Sequence, residues 1–311
     1  MKIEKIKEKL QYYLEELEDL ERSPTTIKNY KTNINMYLKF LINNNIKELT
    51  PDNVNETLEK YRSYLKNERD NKTSTRVRYL QEIILFLESL DLKISIKLPK
   101  NNNQNKDPKY LTIEEIKEVE KTIPKNMIRD KTIFQTLYRT GLRVSELANL
   151  TKQDIDLDST ETAIPINVEN GKGNKQRTVF IDQDTLNLIN QMINKRSKKK
   201  KNKIKENNNE YLFVSRTWKQ LQDRDIQNII KKYATATDER LAKENKKTNY
   251  KEILTPHTLR HSFTIYLINE AKRPINEVQK LLGHSNLATT SIYANIGNKE
   301  IKKGYESVKW S

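Results

Sequence analysis

Apolar residues near the start of the chain recur at three- and four-residue steps: Ile3, Ile6, Leu10, Tyr13, Leu14, Leu17 and Leu20. That period puts them on one face of an amphipathic helix. Ser23-Pro24 and Thr50-Pro51 each set a capping side chain before a proline suited to the first helical position, so two further helices are expected to start there. The first of these would bury Ile27, Tyr30, Ile34, Tyr37, Leu38 and Leu41, and the second Val54, Leu58, Tyr61 and Leu65. A fourth helix, after Thr75, would bury Val77, Leu80, Ile84 and Leu87. Residues 1–97 therefore read as a small helical bundle.

The periodicity lapses over residues 98–109, where Asn and Pro accumulate as they do in linkers. A second domain, 110–311, opens on a capping box of Thr112 and Glu115, with Leu111 and Ile116 spaced as its hydrophobic staple. Two runs rich in Val, Ile and Thr, from Thr162 to Val168 and from Arg177 to Ile181, flank a Gly- and Lys-containing turn segment, the signal of a hairpin with a long basic tip. The rest of the domain is helical in pattern. The expected class is mostly α with a small antiparallel β-sheet.

Composition narrows what such a chain can do. A length of 311 residues suits about two domains. The absence of Cys removes disulfides, thiolate chemistry and Cys-based zinc sites, and suits a cytoplasmic protein. No stretch is apolar enough for a signal peptide or a membrane span, so no membrane partner is expected. The formal charge of +16 attracts polyanions. Residues 1–100 carry a net +3 and residues 101–311 a net +13; eight of the later positives fall between Lys195 and Lys205, a run that reads as a solvated loop or a mobile helix end.

The chain's three histidines, His257, His261 and His284, lie within 28 residues of one another. Thr255-Pro256 opens a helix on which His257 and His261, four apart, share a face with Arg260 beside it. Two imidazoles at that spacing could hold zinc, but Thr258 stands where the zinc motif has Glu, and Arg260 brings a cation toward the ion. The other reading is an anion site, in which the guanidinium, the imidazole and the helix N-terminus all donate to oxygen. A core histidine beside a surface arginine is the plain alternative.

Three more segments bear on the choice: Thr140-Gly141-Leu142-Arg143-Val144-Ser145-Glu146-Leu147, Gly171-Lys172-Gly173, and Gly283-His284 followed nine residues later by Tyr293. Together with His257-Thr258-Leu259-Arg260-His261, in this order, they resemble the motifs of the tyrosine recombinases, the phage integrase family, in a Xer-like form. The resemblance implies that Arg143, Lys172, His257, Arg260, His284 and Tyr293 form the active site. It implies an N-terminal core-binding domain of SAM-like helical type at 1–97 and a catalytic domain at 110–311, closing as a C-shaped clamp on double-stranded DNA at specific recombination sites. The nucleophile would be Tyr293, giving a 3′-phosphotyrosyl enzyme and exchange through a Holliday junction, with no metal, ATP or other cofactor.

Tyr305 is the nearest rival nucleophile among 15 tyrosines, and Tyr293 is distinguished from it by spacing from His284. Glu146, three residues after Arg143, is placed to orient its guanidinium, and His261 to support the site. Two features depart from the family pattern: Asn295 replaces a frequent His, and the charged stretch 236–253 is longer than expected. No arm-binding module is expected ahead of the bundle. The tail after Tyr293, with Ile296, Ile301, Tyr305, Val308 and Trp310, would dock on a neighbouring subunit in a tetramer on DNA. Dimer resolution and mobile-element integration both suit this layout. A type IB-like topoisomerase and a catalytically silent DNA-binding accessory protein are the alternative functions.

Overall fold

The computed structural model describes residues 1–100, 108–168, 176–200 (197–200 by backbone alone) and 211–283. The chain divides into two compact units, Met1–Lys106 and Asp107–Ser311.

The first unit holds helices α1 (Ile3–Asp19), α2 (Pro24–Asn43), α3 (Val54–Asn67) and α4 (Thr73–Glu88). Their facing stripes bury Ile6, Ile34, Tyr37, Leu41, Leu58, Tyr61, Leu65 and Phe86, the aliphatic and Phe side chains each worth about 1.5–3 kcal/mol of hydrophobic stabilisation. Ser23 caps α2 as expected, its hydroxyl accepting from Thr26 N at 3.2 Å.

Three details differ from the pattern reading. Pro51 stands in a turn, and α3 starts at Val54: Thr50 N donates to Asn53 Oδ1 at 2.9 Å and Asn53 N to Thr50 Oγ1 at 3.3 Å, so side chains hold those amides in a turn before the helix begins. Leu20 is exposed because α1 stops at Asp19 and the chain turns through a positive φ at Glu21. Helix α4 starts at Thr73 and buries Leu80, Ile83, Phe86 and Leu87, with Val77 and Ile84 half-buried at the edge of the stripe. Its buried Glu82 accepts from Asn33 of α2.

The second unit continues with α5 (Ile113–Thr122), α6 (Ile128–Thr140), α7 (Val144–Asn149), β1 (Ile164–Val168), β2 (Arg177–Ile181), α8 (Gln183–Lys200), α9 (Asp223–Lys243), α10 (Tyr250–Ile253), α11 (Pro256–Asn269) and α12 (Ile275–Leu282). The Thr112–Glu115 capping box is present, beneath buried Leu111 and Ile116. The two strands pair antiparallel from Ile164 opposite Ile181 to Val168 opposite Arg177. Ile164, Ile166, Val168, Val179 and Ile181 turn inward to a core shared with Phe134, Leu147, Ile189, Phe213, Ile230 and Leu259. Among the described residues the protein is thus mostly helical with a two-stranded antiparallel sheet.

The charged stretch 236–253 is built into this core. It finishes α9, buries Thr237, Leu241 and Tyr250, and folds back so that Asp238 accepts from Tyr250 N and Lys251 N, each at 2.8 Å. The backbone of α8 runs through the first half of the basic run to Lys200, and the remainder of that run lies outside the described residues. The same holds for most of the 98–109 stretch and for the hairpin tip. No helix among the described residues is long and apolar enough to cross a membrane.

Candidate active site

Helix α6 ends at Gly141, whose φ of +62° is a left-handed conformation that favours glycine. A Cβ there would stand 2.5 Å from Phe263 Cδ1 and 3.0 Å from Leu282 Cδ2, so close packing of α11 and α12 also requires glycine. The turn delivers Arg143 as the N-cap of α7, with extended backbone. Its amide donates to Glu146 Oε2 and its Nη1 to Glu146 Oε1, both at 2.7 Å, and Nη2 reaches Gly283 O at 3.3 Å. The Arg143–Glu146 pair expected on one helix face is therefore made across the start of the helix.

Thr255 caps α11, accepting from Thr258 N at 3.0 Å, and Pro256 occupies the first turn. One turn later Arg260 is 3% exposed. Its Nη1 donates to Gly141 O at 2.5 Å and its Nη2 to Leu282 O at 2.8 Å, so one guanidinium joins the C-termini of α6 and α12. The rings of His257 and His261 meet edge to face, 4.4 Å apart. The pKa of His257 is lowered, first by desolvation and then by the cations of Arg260 and Arg143.

Arg143, His257 and Arg260 line an open cleft of about 720 Å³ together with Lys231 and Lys251, and among the described residues no Asp or Glu lines it. Such a cluster of donors attracts an anion and repels a metal ion.

Arg177 was not singled out by the sequence patterns. It opens β2 on the face of Val179 and Ile181, and its side chain is 8% exposed. Its Nη1 and Nη2 fork onto Glu146 at 2.8 and 2.6 Å, and its Nε donates to Leu281 O at 2.9 Å. The signal was present: a charge on the inward face of an alternating strand needs a buried partner. Burial alone would raise the Glu146 pKa, but the Arg177 fork and the Arg143 amide outweigh it and hold the carboxyl down at about 2.

The structure thus brings together Arg143, Glu146, His257, Arg260 and His261. Lys172, His284, Tyr293, Tyr305 and the tail lie outside the described residues.

The phage integrase family profile matches residues 109–300. Among known proteins, the chain is 32% identical over 272 residues to tyrosine recombinase XerA of Pyrococcus furiosus, covering 86% of this chain and 78% of that protein. It is 30% identical over 307 residues to XerA of Thermococcus onnurineus, covering 94% and 92%. Among solved structures it is similar to a XerA recombinase crystal structure (TM-score 0.50, 25% identity, 97% and 99% covered). In fold it is also similar to the Tn1549 transposon integrase in complex with transposon right end DNA (TM-score 0.68, 17% identity, 97% and 99% covered).

The chain belongs to the phage integrase family, the class of site-specific tyrosine recombinases. Within that family its relatives are of the Xer type, and its activity is site-specific DNA recombination by strand transfer.

Proposed function

We propose that the cleft around Arg143 and Arg260 holds the scissile phosphate of duplex DNA and that Tyr293 is the nucleophile. The supporting observation is the convergence of two guanidiniums and the His257 imidazole, from the α6–α7 turn and from α11, in a cleft that no carboxylate lines among the described residues. A phosphodiester becoming five-coordinate gathers charge on its non-bridging oxygens, and planar, permanently charged guanidiniums can neutralise it bidentately. Tyrosine, with an ordinary pKa of about 10, needs this cationic setting to attack.

The phenolic oxygen of Tyr293 forms a bond to phosphorus as the bond to the 5′-oxygen breaks, leaving a 3′-phosphotyrosyl enzyme. Lys172 protonates the departing 5′-oxygen, His257 takes up the tyrosine proton, and His284 donates to a non-bridging oxygen. A 5′-hydroxyl from a second duplex reverses the step, so that strands exchange through a Holliday junction without metal or ATP. Four subunits on two DNA sites would carry this out, each tail docked on its neighbour. The helical unit at 1–97 also contacts the DNA, the tyrosine recombinase relatives favour recombination over topoisomerase or silent accessory roles, and dimer resolution or mobile-element movement would be its use.

The test begins with duplexes selected for binding from a random-sequence library, then re-made with a nick that traps the covalent intermediate. Wild type should form the adduct in excess chelator, Tyr293→Phe should not, and intact paired sites should yield exchanged products. An adduct in Tyr293→Phe, or a reaction that stops on chelation, would overturn the proposal.

A further inference from the structure

We propose that Arg177 is a positioning residue of the strand-transfer site, acting through Glu146 to hold Arg143 and through Leu281 O to hold the end of α12. This rests on the reading of Arg143 as a phosphate-binding group. Arg177 stands at the base of the hairpin, paired across the ladder with Val168. Its fork covers both oxygens of Glu146, and Glu146 in turn receives the amide and Nη1 of Arg143. From the same guanidinium, Nε ties down Leu281 O at 2.9 Å, two residues before Gly283, where a Cβ would stand 3.0 Å from Arg177 Cδ. Gly283 O is itself an acceptor for Arg143 Nη2. One half-buried arginine therefore links three distant stretches of chain, β2, the start of α7 and the end of α12, and each of them bears on the placement of Arg143.

The chemistry gives Arg177 a signature that packing alone would not. Glu146 is 5% exposed, and among the described residues the charged groups facing it are Arg177 from β2 and Arg143 from its own helix start; the end of α12 offers carbonyls to those same arginines. Burial pushes the carboxyl upward and the arginines pull it down. Without Arg177 the carboxyl's pKa rises, and where it takes up a proton Glu146 no longer clasps Arg143 as an ion pair. Loss of Arg177 should therefore appear as a new acid limb in the cleavage profile.

The experiment measures single-turnover adduct formation by the full chain on the selected nicked duplex between about pH 5 and pH 8. Wild type, Arg177→Met, Arg177→Lys, Glu146→Gln and the double variant Arg177→Met with Glu146→Gln are compared, with unfolding midpoints taken for each. Arg177→Met should slow cleavage on the order of tenfold at neutral pH and lose further activity toward acid. Arg177→Lys, which restores charge without the fork, should regain the flat profile and part of the rate. In the Glu146→Gln background the Arg177→Met change should cost less than it does alone, the remainder coming from the lost Leu281 O contact, and should add no acid limb, since the carboxylate it acts through is gone. An Arg177→Met profile parallel to wild type, or losses that simply multiply in the double variant, would overturn the proposal. If Arg177→Met does not fold, the same cycle run with Arg177→Lys decides the matter: a loss that persists undiminished in Glu146→Gln counts against it. Arg143→Ala separates this inference from its foundation. Wild-type adduct formation by Arg143→Ala would sink the active-site reading, whereas a dead Arg143→Ala with multiplicative Arg177 effects would sink the positioning role alone.

Discussion

Two ionisable side chains report the state of the cleft. Glu146 is held at about 2 against an ordinary 4.5, so its ionised form stabilises the fold fully above about pH 4.5, and that contribution is lost as pH falls toward 2. The difference in unfolding free energy between wild type and Glu146→Gln should thus be constant at neutral pH and shrink below pH 4.5; a pH-independent difference would show that the carboxylate charge is not what matters. His257 is also shifted downward, but for an opposite reason: desolvation and two neighbouring arginines disfavour its charged imidazolium. In NMR titrations of the DNA-free protein its midpoint should lie below the ordinary 6.5 and move upward in Arg143→Gln, which removes one of the opposing cations. No movement would mean that Arg143 contributes nothing and that desolvation and Arg260 set it.

Helices and turns here were legible in proportion to how local their causes are. The α1, α2 and α11 starts, the α5 capping box and both strands follow from spacing and caps within a few residues. The α3 start did not, because Thr50 and Asn53 satisfy one another in a turn that a Thr-Pro pair does not announce. The site divides in the same way. Motif spacing singled out Arg143, His257 and Arg260, which the fold brings to one cleft, but Arg177 acquires its meaning only from Glu146, 31 positions away, and from Leu281, 104 away. At this scale the Gly141 turn is the most exacting element. Gly141→Ala should lower stability by about 1–3 kcal/mol through backbone strain alone, with the Phe263 contact adding to it. Denaturant unfolding checks this, and an unchanged midpoint would show that the turn relaxes freely. Thr255→Ala should cost about 1 kcal/mol by removing the α11 cap.

Charge is a property of the whole chain, and its placement makes a prediction for binding. With a net +13 on residues 101–311 against +3 on 1–100, affinity for duplex DNA should fall steeply with salt, and the slope should be carried mainly by the second unit. Comparing salt slopes of the full chain and of residues 1–100 tests this; equal slopes would place the phosphate contacts elsewhere. Arg260 has a different molecule-wide consequence. Its guanidinium closes two buried carbonyls at helix ends that are far apart in sequence, and leaving such acceptors unmet costs about 1–3 kcal/mol each. Replacing this arginine by a shorter side chain would therefore loosen the junction of two helix ends whatever the cleft holds, so folding and binding at this position are tied to one group.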